Sequence, residues 1–170
     1  MNTRLGIFLG SLSFAAVMLF VSRTSAQMPP AIIVPGEAIV ATLHAEGAQI
    51  YECRYDQKNK LFWMTREPVA TLILDGRTIG VHTAGPYWQH IDGSSVRARM
   101  VSAAPGGTFS DLPWLKLEAT DHHGEGVLTH VAMIQRINTK GGALQGMCET
   151  VGAYRSVPYS ADYVFLRKRG

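Results

Sequence analysis

Charge is scarce in this sequence. Only 17% of its 170 residues are charged and 46% are hydrophobic, a balance too apolar for a disordered chain. The formal net charge of +3 shrinks on inspection. Arg4 and Arg23 lie within the first 26 residues, and without them 14 basic side chains face 13 acidic ones. Three of those 14 are Arg167, Lys168 and Arg169 at the tail, so the body carries about −2. No basic surface of the kind that grips phosphate backbones is available, which excludes an electrostatic nucleic-acid binder. Cysteine occurs twice, too rarely for a structural zinc site without two further ligands. No window holds an apolar period of 3.6 residues between helix caps, and there is neither an internal repeat nor a low-complexity tract.

The N-terminus is the most legible part. Arg4 supplies a short positive region, Leu5–Val21 an apolar run, and Thr24-Ser25-Ala26 small residues before Gln27. This is the three-part plan of a secretory signal peptide over residues 1–26. An uncleaved anchor is the alternative, but Gly6, Gly10, Ser11 and Ser13 dilute a run already short for a bilayer span. The mature chain is therefore expected to be exported, periplasmic or secreted, and to meet the membrane only through the leader. In that compartment Cys53 and Cys148 are expected to form a disulfide, two buried free thiols being the alternative.

Residues 27–37 read as an extended leading segment, 38–167 as an all-β domain and 168–170 as a basic tail. Short β-rich runs alternate with turn signals about every ten residues, the spacing of an antiparallel sandwich or bent barrel. The expected strands are Ala38–His44, Gln49–Tyr55, Leu61–Arg66, Val69–Leu74, Thr78–Thr83, Tyr87–Ile91, Val96–Ala103, Trp114–Thr120, Val127–Asn138 and Ala161–Arg167. Glu46-Gly47, Asp75-Gly76 and Asp92-Gly93 are the hairpin signals. In Gln49–Tyr55 the odd residues form the core face, which turns Cys53 inward. Val127–Asn138, apolar on both faces up to Gln135, reads as a long, doubly covered strand.

No complete catalytic or metal constellation is present. His122, His123 and His130 surround a polar turn without metal-ligand spacing, and no metal or cofactor is implied. His82, His90, Asp92 and Ser94 share a short stretch, yet Ser94 lacks a nucleophile elbow. His82 and Trp88 could line a groove or simply pack. Gln135, Arg136 and Asn138 form a polar run that strand patterning does not require. Arg136 could bind a carboxylate or phosphate with its planar fork, or clamp the carbonyls of a neighbouring loop. The expected binding residues are thus His82, Trp88, Asp92, Gln135, Arg136 and Asn138. The expected function is a monomeric binding or interaction module for a small molecule, glycan or protein. A hydrolase-like enzyme using His82 and Asp92 is the alternative.

Several blocks, taken in order, resemble one family. They are AEGAQIYEC (Ala45–Cys53), GVHTAGPYW (Gly80–Trp88), DGS (Asp92–Ser94), LPWLKL (Leu112–Leu117), IQRINTKGG (Ile134–Gly142), Cys148 and VPYSADYVF (Val157–Phe165). Together they are similar to domain of unknown function 3455, a family of exported bacterial and fungal proteins. The resemblance implies an exported single domain with paired cysteines, and no activity. It singles out His82, Gly85, Pro86, Trp88, Asp92, Pro113, Trp114, Gln135, Arg136, Asn138 and Tyr159. Thr83 and the Leu-Arg-Lys-Arg-Gly tail depart from its pattern. Over Tyr51–Cys53 and in general size alone, the chain also resembles small periplasmic lysozyme-inhibitor barrels.

Overall fold

The computed structural model describes residues 28–170; the expected signal peptide lies outside them. After a 3-10 turn at Pro30–Ile32 come eight strands: β1 (Glu37–Tyr55), β2 (Leu61–Leu74), β3 (Arg77–Thr83), β4 (Tyr87–His90), β5 (Ser95–Ala104), β6 (Trp114–His123), β7 (Met133–Gly141) and β8 (Tyr154–Lys168). Each pairs antiparallel with the next, and β8 returns to β1, closing a barrel. The fold is all-β as read from the sequence, and of the two architectures expected it is the barrel.

Local chemistry explains which turn signals hold. Asp75 and Gly76 both have positive φ (50° and 73°), the geometry that joins two strands through a two-residue loop. Glu46-Gly47, by contrast, is no turn. β1 runs straight through it as one 19-residue strand, with β8 on one side and β2 on the other. The glycine serves closeness instead of reversal, since a Cβ there would sit 2.1 Å from the Val69 carbonyl oxygen. Leu61–Arg66 and Val69–Leu74 likewise fuse into β2 across Pro68. The proline lacks an N–H for the ladder. It sits beyond the last β2–β3 pair, Ala70 with His82, and beside a register shift against β1.

Val127–Asn138 is also corrected. β7 begins only at Met133; residues 127–130 fold as a turn and 131–132 are irregular. Side-chain acceptors draw this backbone off the ladder. Asp92 Oδ2 accepts the Val127 N–H at 2.8 Å, and Ser94 Oγ accepts the Leu128 N–H at 3.1 Å. The segment delivers Leu128 and Val131, 0% and 1% exposed, into the core formed by Leu43, Leu72, Trp88, Val96, Ile134 and Phe165. The apolar residues that suggested a doubly covered strand are in fact a floor sealing one end of the barrel.

The other end is built by the connections β1–β2, β3–β4, β5–β6 and β7–β8. Cys53, near the end of β1, is disulfide-bonded to Cys148 in the β7–β8 loop, with Cα atoms 5.9 Å apart. Backbone bonds of 2.8 Å from Cys53 N–H to the Ala153 carbonyl and 2.9 Å from Gly152 N–H to the Cys53 carbonyl fix the same loop. Outside the wall, the segment around Pro30–Ile32 lies along β5, β6 and β7. Ser102, Lys116 and Gln135 donate to the carbonyls of Ala31, Ile33 and Ile32, and Ile32 is fully buried. Among the described residues no helix is long and apolar enough to cross a membrane.

Candidate functional site

A cavity of about 400 Å³ opens at the end opposite the floor. His82 on β3 and Trp88 on β4 are cross-strand partners, and their rings stack at 4.4 Å, 2° from parallel. Tyr163 on β8 meets both edge-on, at 4.9 and 5.4 Å. His82 is 3% exposed, and its Nδ1 lies 2.9 Å from the Tyr87 carbonyl oxygen. A carbonyl only accepts, so Nδ1 carries the proton and Nε2 keeps its lone pair. Burial pushes the His82 pKa down to about 4, and the nearby Arg136 charge pushes the same way against the Tyr87 carbonyl. The ring is neutral at pH 7.

Arg136 faces this group from β7, beside Leu115 and Tyr163 in register. Its Nε and Nη2 both donate to the Pro113 carbonyl, at 3.2 and 3.0 Å. These bonds clamp the Pro113 carbonyl, and the same side chain also lines the cavity. Its residue is 8% exposed, and among the described residues no carboxylate pairs with it. Burial raises the pKa values of Tyr51 and Tyr163, while the Arg136 charge pulls both back. The cavity wall also includes Trp63, Leu115 and Leu117, and contains no aspartate or glutamate. Trp88 Nε1 is buried without a hydrogen-bond partner.

Hydrogen bonds hold the rim. Tyr51 donates its hydroxyl to the Gly142 carbonyl at 2.7 Å and accepts the Leu144 N–H at 3.1 Å. Thr139 donates to the Leu112 carbonyl at 2.6 Å, and Asp111 accepts the Gly141 N–H at 2.6 Å. These bonds tie the β5–β6 connection and the start of the β7–β8 connection to each other and to β1.

Of the six expected binding residues, His82, Trp88 and Arg136 line this cavity and the other three stand elsewhere. Gln135 points through the opposite face of β7, where its Nε2 donates to the Ile32 carbonyl at 2.6 Å. Asn138 lies on the exposed surface and donates to Asp162 at 2.8 Å. Asp92 belongs to the floor. It accepts the Ser94 hydroxyl at 2.6 Å and the N–H groups of Ser94 and Val127, with His90 Nδ1 3.0 Å away. Partial burial works to raise its pKa, but these bonds outweigh that and hold it well below the ordinary carboxylate range. Serine, aspartate and histidine do meet here, with the carboxylate in the middle. In that order the imidazole cannot take the serine proton, and Ser94 is fully buried. His82 and Asp92 do not pair.

The histidines of the 121–130 turn make separate contacts: His122 Nε2 donates to the Val131 carbonyl at 2.8 Å and His123 meets Asp121 at 3.0 Å. Among the described residues no three His, Cys, Asp or Glu side chains gather as a metal site. Gln49, Tyr51, Trp63 and Tyr163 line the cavity without having been singled out from the sequence. For Tyr51 the signal was present, since it shares the inward face with Cys53.

Fold and cavity together define a closed eight-stranded antiparallel barrel, sealed at its floor and hollow beneath its rim. The chain belongs to the family described as Protein of unknown function (DUF3455), whose model matches residues 34–77 and 73–167. No curated protein and no solved structure matches it.

Proposed function

We propose that this is an exported binding protein that takes one small organic molecule into the open end of its barrel and performs no chemistry on it. One observation carries the reading: three strands converge His82, Trp88 and Arg136 on a single cavity of about 400 Å³. An apolar wall with a few convergent polar groups is what small-molecule sites usually offer, in volumes of roughly 300–1,000 Å³. Eight-stranded barrels have an interior suited to one such ligand. The Cys53–Cys148 disulfide and the expected leader support an oxidising, exported setting.

Trp63 and Trp88 both line the cavity, so occupancy should change intrinsic fluorescence. The test is a titration of the mature protein with a panel of small organic molecules, repeated with Ala143→Trp, which fills the mouth from the rim. Saturable binding at one per chain, lost in Ala143→Trp while the melting temperature holds, supports the reading. Binding indifferent to that substitution defeats it.

A further inference from the structure

We infer that the ligand of this cavity is an organic acid: a carboxylate on an apolar body, its charge received by Arg136. The inference rests on the barrel-binding reading above and adds the ligand's chemical class. Arg136 places a permanent cation inside the barrel, and its Nε and Nη2 are spent on one carbonyl, that of Pro113. Beyond Pro113 the guanidinium bonds to no carbonyl or carboxylate among the described residues, and the Tyr163 hydroxyl beside it is a neutral group. A carbonyl dipole is a weak counterpart for a desolvated guanidinium, which ordinarily demands a carboxylate. The cavity wall supplies none. Of its two cations, Arg66 is already paired with Glu67 at 3.1 Å and Glu52 at 3.9 Å, which leaves Arg136 as the one that meets no carboxylate among the described residues.

The surrounding titratable groups do not supply the missing charge. His82 is neutral, and burial holds Tyr51, Tyr159 and Tyr163 in their protonated phenol forms. Trp88, whose Nε1 is buried without a partner, adds an aromatic face to the same wall. A cation without a carboxylate, set among Trp63, Leu115 and Leu117 in one cavity, describes an amphiphilic anion. A guanidinium fork suits a carboxylate better than a bare point charge does, because two parallel N–H groups can meet two oxygens. A cationic ligand would be repelled by Arg136, and a sugar hydroxyl could accept its N–H but bring no charge to meet it.

The experiment uses matched pairs that differ only in the charged group: benzoate and benzamide, 2-naphthoate and 2-naphthamide, decanoate and decanol. Each is titrated at pH 7 by calorimetry and tryptophan fluorescence. The expected result is at least a ten-fold preference for the acid in every pair that binds. Arg136→Gln should abolish the preference and Arg136→Lys should retain part of it. Wild-type protein carries the main comparison, so it survives a poorly folding variant. Equal binding of acid and neutral partner overturns this inference and leaves the barrel-binding reading standing. Binding of no pair overturns both, and a preference that persists in a folded Arg136→Gln removes Arg136 from the role.

Discussion

His82 and Trp88 face each other across the β3–β4 hairpin with parallel rings 4.4 Å apart. The stack leaves the imidazole only 3% exposed, and the Tyr87 carbonyl fixes which nitrogen bears the proton. Arg136 completes the arrangement by making a second positive charge there unfavourable.

Stability should therefore depend on His82 in a defined pH window. The unfolded chain takes up this proton near 6.5, whereas the folded barrel waits until about 4. Between those values only the unfolded state gains the proton, so stability is full above 6.5 and declines as pH falls toward 4. The decline from this residue totals about 3 kcal/mol, at about 1.36 kcal/mol per pKa unit, and stops below the folded value. Urea midpoints of wild type and His82→Gln between pH 7.5 and 4 check it. An equal slope in both proteins would mean that another group is responsible.

The disulfide should be worth a large share of the fold's stability. It spans 95 residues, and closing a loop of that size removes about 4–5 kcal/mol of unfolded-state freedom in the chain-entropy model, an upper figure. Cys53→Ser should lower the melting temperature sharply, by an amount similar to Cys148→Ser. Thiol titration of oxidised protein in denaturant should find no reactive sulfur until reductant is added.

Asp92 should act on the floor and leave the cavity alone. Asp92→Asn keeps the shape but weakens acceptance of the Ser94 and Val127 N–H groups. A loss of about 1–2 kcal/mol is expected, water replacing part of what is removed. Amide exchange should rise at Val127 and Leu128, with tryptophan fluorescence and ligand titrations unchanged. A ligand affinity that drops with Asp92→Asn would place this residue in the site after all.

Strands were readable from alternation because a half-buried strand must repeat every two residues. The same rule separates Gln135 from Arg136, which as neighbours on β7 face opposite sides. Counting polar residues in one run concealed that. Asn138 is two positions beyond Arg136, yet its positive φ of 53° and a register shift between Ile137 and Lys140 break the alternation. Gly47 misled because a glycine that permits close approach and a glycine that permits a turn are the same letter. Residues 127–132 misled because their acceptors, Asp92 and Ser94, are more than thirty residues away. Barrel closure itself depends on β1 meeting β8, a pairing no local pattern announces.

Eight strands in simple succession have a parity effect. With an even number of passes, β8 ends at the same end of the barrel where β1 begins, and Glu37 pairs with Lys168 there. That end is the sealed floor. A surface, matrix or sensor chip attached through the C-terminus would therefore hold the molecule like a cup standing on its base, with the rim turned toward solution. Arriving molecules would still find Arg136 from above.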